Sequence, residues 1–200
     1  MRDERGFSLV ELIVVIAIIS IIGAGAYGML GLLNGKYAKE CATKTQSALS
    51  QTKVAAMSKS KGATLYDVYI RIYTSADGSV YVDSVTGRGT ANEARTTEKI
   101  GNARVTVSAV KGRVGTEASD STVTLDGTNE IIIAFDRSGG TFNEVVNTEP
   151  TGLIAPAKET DVYWKKIIFT QGSVEYVLDL VPLTGKFSLS KKLSGRCVWL

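Results

Sequence analysis

From Leu12 to Leu33 the chain carries no charged side chain. Nothing else in the sequence limits its folding as strongly. As a helix this stretch runs about 33 Å at 1.5 Å per residue, enough to cross the hydrocarbon core of a bilayer. It is longer than the apolar part of a secretory signal, and no small-residue cleavage site follows it. A buried helix of a soluble domain is the alternative. That reading fits poorly with so long an uncharged run at one end of a 200-residue chain.

What precedes the run is short and charged: Met1-Arg2-Asp3-Glu4-Arg5-Gly6, then Phe7-Ser8-Leu9-Val10-Glu11. Glu11 is a lone carboxylate at the head of the apolar helix. Mid-membrane a charge costs about 2.5 to 3.5 kcal/mol, and less near an end, where the side chain reaches the interface. Read structurally, Glu11 favours the helix dipole. Read functionally, it is an anion awaiting a cation from elsewhere.

Gly6-Phe7-Ser8-Leu9-Val10-Glu11-Leu12 resembles the prepilin processing motif of type IV pilins and type II secretion pseudopilins. The resemblance implies a cut between Gly6 and Phe7 on the cytoplasmic side, N-methylation of Phe7, and an assembly role for Glu11. It also implies that the apolar helix serves first as anchor and then as filament core, with Ile13 to Ile22 as packing surface. The physics is consistent with these roles. Cleavage frees an amine on Phe7, and an anion among apolar helices is tolerable where such a cation from a neighbour meets it. Glycine before the cut lets a protease approach the backbone closely. The leader has two arginines and two acids, and Lys36, Lys39 and Lys44 follow the span. Counting cations alone therefore favours the opposite orientation, but the motif has meaning only with the amino terminus in the cytoplasm.

Gly23, Gly25, Gly28, Gly31 and Gly35 each cost about 1 kcal/mol against alanine in a soluble helix. Membrane helices use such residues for close packing, and here they also predict a stretch that loosens in a fibre. From Lys36 to Lys61, Tyr37, Cys41, Thr45, Ala48, Thr52 and Ala55 recur at three- and four-residue spacing, widened by Leu49 and Met57. With no proline before Pro150, the apolar helix is expected to continue into this amphipathic half, which packs under a head.

After Gly62 the period changes to alternation. Tyr66, Val68, Ile70 and Ile72 share a strand face, and Asp77-Gly78 signals a hairpin before Ser79–Val85. Val105–Ala109, Thr122–Leu125, Ile131–Phe135, Val162–Phe169, Val174–Leu180, Lys186–Leu189 and Arg196–Trp199 follow. Thr86–Asn102 and Asn147–Lys158 read as long loops. The expectation is seven to nine antiparallel strands in an α+β protein. Its parts are a leader (1–6), a transmembrane or filament-core helix (7–34), an amphipathic helix (35–61) and a β-rich head (62–200). The passages from Ala48 to Gly62, Ile131 to Gly139 and Phe187 to Val198 resemble the H-type, FimT-like minor pseudopilin subgroup.

Histidine is absent, which removes the usual general base and metal ligand near neutral pH. No carboxylate pair or phosphate-binding loop has a distinctive spacing. Neither a catalytic residue nor a metal or cofactor site is expected. Cys41 and Cys197 leave two readings open: a disulfide in an oxidising compartment, or two separate buried thiols. Lys186, Lys191, Lys192 and Arg196 gather near the carboxyl end. The subgroup resemblance implies DNA binding there in a DNA-uptake apparatus, and lysines protecting a sheet edge are the alternative. The resemblance further implies, as partners, other pilin or pseudopilin subunits, a prepilin peptidase, an inner-membrane assembly platform and membrane lipid before assembly. The implied location is a single-pass inner-membrane precursor, then an extracellular or periplasmic filament. A non-polymerising anchored domain is the remaining rival.

Overall fold

The computed structural model describes residues 9–33, 35–58, 68–87, 93–136, 139–143, 145, 160–193 and 196–199, with backbone only for 23–33, 193 and 196–199. Among the described residues, helices α1 (Leu9–Leu33) and α2 (Lys36–Ser58) precede ten strands. These are β1 (Val68–Thr74), β2 (Val80–Thr86), β3 (Ala94–Gly101), β4 (Thr106–Arg113), β5 (Ser121–Thr124), β6 (Glu130–Ala134), β7 (Val162–Gln171), β8 (Val174–Val181), β9 (Lys186–Leu193) and β10 (Arg196–Trp199). They form a four-stranded sheet, β3-β2-β1-β6, and a six-stranded sheet, β10-β9-β8-β7-β4-β5. Every strand pairing is antiparallel. The protein is α+β, as its change of period implies.

Helix α2 is the wall shared by the two sheets. Ala38, Cys41, Ala42, Thr45, Ala48, Leu49, Thr52 and Ala56 are buried, a stripe with the three- and four-residue spacing of one helix face. All but Leu49 are small, so the helix backbone lies close to its neighbours. The hydroxyls of Thr45 and Thr52 donate to the carbonyls of Cys41 and Ala48, so neither is left unsatisfied in the core. The same core takes Ile70, Ile72 and Ile133 from the smaller sheet and Ile167, Phe169 and Leu178 from the larger one. Met57, expected in the stripe, is 49% exposed. Ala56, one residue earlier, takes the inward place.

The near-continuous helix expected across residues 7–61 is interrupted. α1 ends at Leu33 and α2 begins at Lys36, with Gly35 between them at φ +86°, a left-handed conformation that suits glycine and excludes helix. A Cβ at Gly35 would lie 2.7 Å from Cγ1 of Val174. Gly35 nonetheless opens α2, because its carbonyl accepts the bond from the Lys39 N–H at 2.9 Å. The side-chain oxygen Oε1 of Gln171, at the end of β7, accepts from the N–H groups of Tyr37 and Ala38 at 3.0 and 3.2 Å.

Farther along α2, Lys53 donates from Nζ to the carbonyl of Gly185 at 2.8 Å. Gly185 and Gly140, both at positive φ, sit so close that a Cβ on the former would fall 1.6 Å from the carbonyl oxygen of the latter. Thus a lysine on the helix, the loop after β6 and the turn after β8 meet at one point.

The strand count exceeds expectation because β3 lies inside the segment read as a loop at Thr86–Asn102. Only Ile100 of β3 is buried. As an edge strand with six exposed residues it shows no alternation. The loop expected at Asn147–Lys158 and the strand start at Tyr66 lie outside the described residues.

Candidate assembly site

Gly6 and Phe7 lie outside the described residues, so the site is built from α1 onward. Glu11 sits in the first turn of α1 and is exposed, where the helix dipole favours an anion. Around it Leu9, Val10 and Leu12 are 74, 68 and 56% exposed. The large apolar residues onward to Ile22 are between 45 and 74% exposed. They occupy every side of the helix instead of one stripe, the pattern of a segment meant to be surrounded by apolar matter. Its one hydroxyl among the described side chains, Ser20 Oγ, donates to the Ile16 carbonyl at 2.8 Å, so it asks nothing of water. Among the described residues no helix is long and apolar enough to cross a membrane. A crossing would draw on the uncharged sequence that continues to Leu33.

The carboxyl-terminal cations do not share one surface. On β9 the pleat sends Phe187, Leu189 and Lys191 to the core side, opposite Leu180, Leu178 and Tyr176. The Lys191 amine stands 6.0 Å from the Tyr176 ring centroid. Lys186 and Lys192 face the other way and are exposed, with Lys192 paired across the sheet with Glu175. Arg196 pairs with Leu193 on β10, the edge strand of the larger sheet.

Cys41 is a free, fully buried thiol. Burial pushes its pKa up to about 12; Lys44 pulls it down and Glu40 adds a smaller rise. It packs against β3 and β2, since a Cβ on Gly101 would touch its sulfur at 3.0 Å and Val80 at 3.3 Å. Cys197 belongs to β10, at the edge of the other sheet.

Residues that the sequence reading did not single out hold α2 in place: Gln171 at its start and Lys53 near its end. Nothing local to either residue signals the role, because their partners lie 134 and 132 residues away.

Residues 1–27 match the family model for the prokaryotic N-terminal methylation motif. The chain carries a prepilin methylation motif. That is consistent with the type IV pilin and pseudopilin family, and it supports a pilin-like chain made as a membrane-anchored precursor. The motif spans the apolar start of α1 and Glu11, the part of the molecule that the head leaves uncovered. It implies processing by a prepilin peptidase and assembly of the pilin-like chain with other pilin subunits. No curated protein and no solved structure matches the chain.

Proposed function

We infer that the chain is a minor pilin or pseudopilin, cut between Gly6 and Phe7, N-methylated at Phe7 and built into a type IV pilus-like or type II secretion filament. One observation carries the reading. The methylation motif opens a helix whose large apolar side chains, from Leu9 to Ile22, lie on every side and are uncovered by the head. Such a surface is stable only in lipid or among other apolar helices. In this reading α1 crosses the inner membrane once, amino terminus inside, and then exchanges lipid for neighbouring subunits. Glu11 sets register by meeting the Phe7 amine of the next subunit. The chain acts as a structural subunit, without catalysis.

Mass spectrometry of the protein purified from membranes tests the reading. The expected product begins at Phe7 and carries a methylated amine. A chain still beginning at Met1 in cells that process other prepilins would overturn it.

A further inference from the structure

The start of α2 repeats the logic of a helix N-cap with its parts redistributed. In an ordinary cap the residue whose carbonyl takes the first helical bond also offers a side-chain oxygen to the N–H groups two and three residues on. Gly35 holds that place here, since its carbonyl accepts from Lys39, but glycine has no side chain to offer. Serine or aspartate is excluded there twice: by φ +86° and by Val174, 2.7 Å from any Cβ. The oxygen comes from Gln171, which accepts from Tyr37 and Ala38, the second and third residues of the helix. Gln171 and Val174 flank the two-residue turn of the β7–β8 hairpin, across which they pair directly. One hairpin tip therefore supplies both the cap and the steric wall.

We propose that Gln171 is a positioning residue that starts α2 from the head, so that α1 and α2 are mechanically separate helices joined at Gly35. In a continuous helix the N–H groups of Tyr37 and Ala38 would bond to the carbonyls four residues earlier, and the head would dictate the direction of α1. With the cap on Gln171 the head keeps its helix whatever α1 does. The consequence for assembly rests on the filament reading: α1 changes direction on leaving lipid for the fibre while the head stays unaltered. The cap itself does not depend on that reading.

Hydrogen exchange on the full-length protein in detergent micelles, resolved to single amides, tests the cap. Gln171→Leu, which removes the acceptor, is expected to speed exchange at Tyr37 and Ala38 by about tenfold, the size of a lost helix cap. Amides of the core strands, such as Ile70 and Ile133, report that the head remains folded. Gln171→Glu retains an acceptor oxygen and is expected to keep the two amides as slow as in the parent. Unchanged exchange at Tyr37 and Ala38 in Gln171→Leu would mean a continuous helix and overturn the proposal. So would fast exchange there in folded Gln171→Glu, which also decides the matter should the leucine variant fail to fold. Neither outcome bears on processing at Gly6, which the mass measurement reads separately.

Discussion

The two helices are nearly equal in length, 25 residues in α1 and 23 in α2, yet they are stabilised in opposite ways. α2 buries one narrow stripe of small residues against two sheets and leaves the rest to water. α1 is apolar on all sides and buries none of its described side chains. One helix is completed by its own chain, the other only by surroundings the chain does not contain. The lesson is that a helix's environment can be read from how its apolar residues are distributed around it, independently of their number.

Substitutions that separate the two helices test this contrast. The largest effect is all-or-none: Gly6→Val is expected to abolish cleavage, seen as a full-length precursor by intact mass, while urea unfolding of the head stays as in the parent. A changed unfolding midpoint would show that the two parts are not independent. Next is Gly185→Ala, whose methyl would meet the Gly140 carbonyl at 1.6 Å on a backbone of φ +59°. A loss above about 4 kcal/mol is expected from that overlap, read as failure to give a cooperative melt.

A matched pair of truncations comes third. Leu49→Ala in α2 is expected to cost about 2 to 5 kcal/mol by denaturant unfolding. Ile16→Ala in α1 should shift head stability by under about 0.5 kcal/mol; a larger shift would put α1 in the head's core. Lys53→Met, which removes the donor to Gly185, is expected to cost about 1 to 3 kcal/mol in the same assay.

The last effect is absent near neutral pH and emerges only in alkali, a pH dependence from Cys41. Its folded pKa, about 12, lies above the ordinary value of 9.0, so the folded state retains a proton that the unfolded state releases. The stability this thiol contributes is complete below pH 9 and is lost as pH rises toward 12, by at most about 1.4 kcal/mol per pH unit. Cys41→Ala should flatten the stability curve in that alkaline window, and the native thiol should resist alkylation near pH 8.

Features made by neighbouring residues were legible in the sequence. The methylation motif is a contiguous string, the stripe of α2 follows from its spacing, and the hairpin at Asp77-Gly78 announces itself. There the Ser79 N–H and hydroxyl donate to Asp77 and lower the aspartate's pKa. β3 was not legible, because exposure on both faces erases the alternation that marks a strand. Nor was the interruption at Gly35. It is one of five glycines in its region, and what distinguishes it is Val174 and Gln171, brought close only by the completed fold. The terminal lysines looked like a cluster because sequence order hides the pleat that sends Lys191 to one side and Lys192 to the other.

Both ends of α2 are tied by latecomers, Gln171 at the start and Gly185 through Lys53 near the finish. Because synthesis runs from the amino terminus, this helix gains its second tie only once residue 185 has been made. The head therefore fastens its helix late, and a ribosome stalled before residue 185 leaves an unfastened intermediate exposed to quality-control proteases.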